Sequence, residues 1–150
     1  QNNRKNKKED GILVSQKVLL TWLIESEDIF RQIEKYITPE DFSEGLFRKV
    51  AELLYEQYEK HEANPAQIMN HFTDEEEHRE VAGLFHTKIK ELTTVKEQEK
   101  ALQETILRVK EHSIEEATKN LDPTDIQGLQ RLMNEKRKMQ DLRTLHISIN

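Results

Sequence analysis

An all-α fold, a compact helical bundle followed by a carboxy-terminal hairpin of two long helices, is predicted by three features of this sequence. Gly and Pro are scarce, at four and three in 150 residues. Segments that alternate residue by residue, as half-buried strands do, are almost absent. Apolar residues instead recur at i, i+3, i+4 and i+7, between Ser, Thr, Asn and Asp at the starts and breaks marked by Pro.

Taken in order, the chain opens on QNNRKNKK, which carries four positive charges and starts at Gln1 rather than Met; residues 1–10 are expected to be a basic linker arriving from an upstream domain. GILVSQKVLLTWLIE (11–25) is apolar nearly all round, the mark of a central helix. Residues 28–37 add a short amphipathic helix with Ile29, Phe30, Ile33, Tyr36 and Ile37 on one side. Thr38 to His61 reads as the spine of the core. Thr38 caps, Pro39 suits the first position, and Asp41 completes a capping-box-like start, unless Gly45 delays regular helix to Ser43 or Glu44. Leu46, Phe47, Val50, Ala51, Leu53, Leu54 and Tyr58 form its wide apolar face. Asn64 and Pro65 begin a short helix, and Thr73 is expected to cap the next one, whose acidic first turn suits the positive end of the helix dipole. A break is expected between Gly83 and Thr94. Thr94 and Glu97 then open a helix of about 25 residues, about 38 Å at 1.5 Å per residue, with a thin stripe of Leu102, Ile106, Val109, Ser113 and Ala117. Asp122 and Pro123 are expected to start the last helix. The expected division is therefore 1–10 linker, 11–93 bundle and 94–150 hairpin, with the bundle folding without the hairpin.

Charge and composition narrow the function. With 23 Lys+Arg against 29 Asp+Glu, and four of the cations in the first eight residues, the remainder carries 19 against 29, near −10. Such a body repels nucleic acid, so no direct nucleic-acid binding is expected. The absence of Cys removes disulfides, thiolate metal sites and thiol nucleophiles and fits a reducing, cytoplasmic setting. No apolar run reaches the roughly 18 residues of a membrane span. Glu75 and His78 have the i, i+3 spacing of a di-iron ligand pair, yet such a site needs a second pair and a Glu from each of two further helices. The other His, at 61, 71, 86, 112 and 146, are scattered. Neither a GxSxG turn nor a Gly-rich phosphate loop is present, so no catalytic residue, metal site or cofactor is assigned. Lys136-Arg137-Lys138 sits among Glu135 and Asp141 as a solvated face. The aromatic residues lie on apolar stripes and read as core.

The hairpin carries the functional expectation. Leu121, Ile126, Leu129 and Leu132 toward its turn, with Met139, Leu142, Arg143, Leu145 and Ile147 toward the carboxy-terminus, are expected to form a continuous partner-binding surface. The closing LHISI is an apolar tail that a free two-helix hairpin cannot bury.

The order of elements, with Ser15-Gln16-x-x-Leu19-Leu20-x-x-Leu23, Ile29-Phe30, Pro39-Glu40-Asp41-Phe42-x-x-x-x-Phe47, Leu53-Leu54, Asn64-Pro65 and the terminal helix pair, is similar to the carboxy-terminal helicase-binding domain of bacterial DNA primase. That domain in turn resembles the amino-terminal collar domain of the replicative helicase. The resemblance implies a non-catalytic adaptor, monomeric in isolation, whose hairpin docks on the amino-terminal domains of the hexameric helicase and recruits primase to the replication fork. The polymerase centre and zinc-binding module of that family lie upstream. The helicase collar is the alternative reading, against which stand the basic start and an end directly after the hairpin. A metal-binding helical-bundle enzyme is the alternative of another class.

Overall fold

The computed structural model describes the backbone of residues 2–86 and 94–149, and side chains within 11–85 and 94–149. Among the described residues there are seven α-helices and no strand: α1 (Asn2–Glu25), α2 (Glu27–Ile33), α3 (Leu46–Glu59), α4 (Ala66–Asn70), α5 (Glu75–His86), α6 (Val95–Lys119) and α7 (Ile126–Thr144). The all-α expectation is met. The first helix starts earlier than expected, since the backbone is already helical from Asn2 and the stretch read as a linker continues into α1.

Helix α1 is the hub, because its buried side meets four other helices, while Leu13, Val14, Lys17 and Glu25 are exposed. Leu19, Leu20 and Leu23 are fully buried, and α1 packs most extensively on α6 while also touching α5, α2 and α3. Its buried polar groups are all satisfied. Ser15 Oγ and Thr21 Oγ1 donate to the carbonyls one turn back, of Gly11 (3.1 Å) and Lys17 (3.0 Å). The Gln16 amide donates to Ser43 Oγ (2.8 Å) and accepts from Ser43 N–H (3.0 Å), tying α1 to the turn before α3. Ser26 ends α1 and caps α2, its Oγ accepting from Ile29 N–H at 3.1 Å.

The segment from Thr38 divides in two rather than running as one helix. Pro39–Asp41 is a 3-10 turn in which Thr38 N–H donates to Asp41 Oδ2 at 2.9 Å. Regular helix resumes only at Leu46, after Gly45 at φ +119°, a conformation that side-chain-bearing residues rarely adopt. Past that break α3 buries Val50, Ala51, Leu54, Tyr55 and Tyr58. Phe30 of α2 meets Tyr55 edge-on, with centroids 4.7 Å apart, and Tyr58 at 4.6 Å. Both tyrosine hydroxyls donate inward, Tyr55 to Ile37 O and Tyr58 to Leu23 O, each at 2.6 Å.

Three helix starts depend on which of several neighbouring polar residues caps. Thr94 caps α6 as expected, accepting from Glu97 N–H at 3.2 Å. For α5 the cap is Asp74 rather than Thr73, its Oδ2 accepting from Glu77 N–H at 3.2 Å. For α7 it is Asp125 rather than Asp122: Asp125 Oδ1 accepts from Gly128 N–H at 2.9 Å, while Asp122 closes the preceding turn on Thr124 N–H. The expected break after Gly83 lies partly inside α5, which runs to His86; its remainder, through 93, lies outside the described residues.

The core does not divide at 93/94. Leu102, Ile106 and Val109 of α6 join the α1–α3 residues in one buried cluster, with Leu142 of α7 and Ile147 beyond it. The terminal strip is pinned as well. Gln32 of α2 donates to Ser148 O and accepts from Ser148 N–H, both at 2.9 Å, and Ile149 N–H donates to Glu99 at 2.7 Å. The apolar tail is thus covered by the bundle itself.

Two outcomes follow from this packing. Leu54→Ala should destabilise the protein by about 2–5 kcal/mol in urea unfolding, as expected for a buried Leu with no room to collapse. A chain truncated before Thr94 would uncover α1 along its longest seam and should lose its cooperative thermal transition; a sharp melt near that of the full chain would show that α6 is dispensable to the core.

Candidate functional site

Helix α7 has two faces, and its pattern of burial separates them. One side buries Gly128, Leu132, Met139 and Leu142. The other leaves Ile126, Leu129 and Met133 exposed at 71%, 46% and 57%. These three stand at i, i+3 and i+7, so they form one strip at the tip of the hairpin. Arg137 and Arg143 are exposed farther along the same helix.

The residues expected to form one continuous outward surface are therefore divided. Ile126 and Leu129 face solvent, as does Arg143. Leu121 and Leu145 are half-buried. Leu132, Met139, Leu142 and Ile147 are turned inward, at 6%, 8%, 0% and 2% exposure. The reason is that the hairpin lies against the bundle, so half of the apolar residues of α7 already have partners in α6 and the core. Met133 belongs to the exposed strip although it was not singled out by spacing, because it differs from Leu132 by one position and the facing direction of α7 is set by its docking.

Behind the strip lies a buried ionic cluster. Lys110 of α6 is fully buried, with Nζ 3.2 Å from both carboxylate oxygens of Asp41 and hydrogen-bonded to Glu135 of α7. Asp41 also accepts from Ser113 Oγ at 2.7 Å. Glu135 further accepts from Lys138 at 3.2 Å. One cation thus joins the Pro39–Asp41 turn, α6 and α7, and fixes how the hairpin sits. Partial burial opposes ionisation of Glu135, but hydrogen bonds and charge from Lys110 and Lys138 outweigh it and hold the carboxyl below its ordinary range. The signal in the sequence was Lys110 itself, which sits on the buried side of a helix whose stripe runs Leu102, Ile106, Val109.

Other candidates take plain places. Glu75 and His78 are exposed in the first turn of α5, and among the described residues no three His, Cys, Asp or Glu side chains are grouped as a metal site requires. Lys136 and Arg137 are exposed. Among the described residues no helix is long and apolar enough to cross a membrane. No protein-family model, curated protein or solved structure matches the chain.

Because the folded-state pKa of Glu135 is lowered, its stabilising effect is complete above the unfolded value of about 4.5 and is lost as pH falls through the lower folded value. The unfolding midpoint should fall as pH drops below about 4.5, and Glu135→Gln should flatten that acid limb while lowering the neutral plateau. An unchanged acid limb in the variant would remove Glu135 from the linkage.

Proposed function

We propose that this chain is a non-catalytic docking domain of the kind found at the carboxy-terminus of bacterial DNA primase, and that it binds the amino-terminal domains of the hexameric replicative helicase. The observation that carries the reading is the solvent-exposed strip Ile126, Leu129 and Met133 at the hairpin tip. Three large apolar side chains in a row on an otherwise charged helix make a suitable anchor for a partner groove. Burying the surface that these side chains still expose is worth about 25 cal/mol per Å², which favours association of the strip with an apolar groove. The order of elements supports the same reading, with the largely apolar stretch 11–25 of its central helix, interrupted Pro39–Phe47 entry into α3 and closing pair of long helices. Arg137, four residues after Met133, extends the strip with positive charge and Arg143 adds positive charge on the adjoining side, so the helicase surface should be apolar opposite the tip and acidic opposite the carboxy-terminal half of α7.

The test is a titration of the purified domain against the purified helicase hexamer. Ile126→Asp and Met133→Asp should each weaken binding about tenfold or more, equivalent to about 1.4 kcal/mol, with no loss of thermal stability because both side chains are exposed. Arg143→Glu should act mainly on the association rate and its salt dependence. Full affinity in the double variant Ile126→Asp/Met133→Asp would move the interface off the hairpin.

A further inference from the structure

A groove of about 730 Å³ separates the Thr38–Arg48 segment from the tip of the hairpin. Its lining includes Ile114 and Ala117, which lie on α6 beyond the last residues that this helix buries in the core, and Leu121, which follows the end of α6 at Lys119. Ala117 is open and the other two are half-buried, so this apolar lining has no complete partner in the fold. The rim is acidic, with seven carboxylates against two arginines.

Neighbouring cations quench part of that charge. Lys110 answers Asp41 and Glu135, Arg48 lies 3.6 Å from Glu44, and Arg131 lies 3.9 Å from Asp125. Glu40 and Asp122 are exposed; Arg48 donates to the Glu40 carbonyl at 3.2 Å and Thr124 donates twice to Asp122 Oδ1, but neither carboxylate is seen in an ion pair among the described residues. Glu116 has only Lys119, 3.6 Å away and itself 71% exposed. An apolar ledge between unneutralised carboxylates is complementary to one kind of occupant.

We infer that this groove docks a short cationic and partly apolar segment of a partner protein, its apolar side chains resting on Ile114, Ala117 and Leu121 and its Lys or Arg heads reaching Glu40, Glu116 and Asp122. The volume falls in the range of about 300–1,000 Å³ that accommodates a few side chains rather than a domain. Nucleic acid and acidic peptides are repelled by the same rim. The surface is separate from the helicase-docking strip, because Gly128 and Leu132 of α7 face the groove while Ile126, Leu129 and Met133 face away from it. Neither proposal depends on the other.

The probe is a fluorescently labelled amphipathic peptide of Leu, Lys and Arg, titrated by anisotropy against the full chain at about 0.15 M ionic strength, where charges more than roughly 8 Å away are screened. Glu40→Lys/Glu116→Lys should weaken binding by about tenfold or more, and the charge-neutral Ala117→Gln should weaken it too through loss of the ledge. Glu75→Lys/Glu76→Lys changes net charge by the same amount on α5, away from the groove, and should shift affinity less than about twofold. Met133→Asp should leave it unchanged. Equal weakening by both double variants would reduce the effect to general charge attraction and overturn the proposal, as would loss through Met133→Asp or the absence of saturable binding.

Discussion

Helix α1 must bury one wide apolar side, and the other elements are arranged to meet that requirement. Leu19, Leu20 and Leu23 are fully buried, and α2, α3, α5 and α6 all pack on α1, while Leu13, Val14 and Lys17 face water. A helix in that position cannot keep unpaired polar groups, which is why Ser15 and Thr21 bond back along their own turn and Gln16 exchanges two hydrogen bonds with Ser43. Sequestering α1 also explains why the hairpin is part of the core, since without Leu102, Ile106 and Val109 one flank of the hub would be wet.

The Lys110 cluster sets the second constraint, on orientation rather than on burial. Hydrophobic contact between α6 and its neighbours is non-directional, whereas a fully buried ammonium needs specific carboxylates at hydrogen-bond distance. Asp41 and Glu135 come from elements on opposite sides of α6 in the chain, so only one placement of α7 satisfies all three groups. That placement turns Leu132 inward and Met133 outward. The exposed strip is therefore a consequence of an ionic arrangement behind it. Both proposed docking surfaces, the strip and the acidic groove, flank the same hairpin tip, which the cluster ties to the Pro39–Asp41 turn through Lys110.

Sequence periodicity alone made the helices legible, their order, and the largely apolar character of residues 11–25 in α1. Those properties depend on residues close in the chain: a repeat of 3.6, a cap such as Ser26 or Thr94, a glycine such as Gly45 at positive φ. Where several polar residues stand together, as at Thr73-Asp74 or Asp122 to Asp125, local preference does not choose between them, and the cap is the one whose oxygen meets the first free N–H groups. Tertiary structure decided the rest. Whether Leu132, Met139, Leu142 and Ile147 wait for a partner or fill the core depends on where α7 lies relative to α6 and α1, and no spacing within α7 carries that distance. The same holds for Gln32 and Ser148, which pin the tail across most of the chain, and for Lys110, whose charge is tolerated only because Asp41 arrives beside it from a turn far away in sequence.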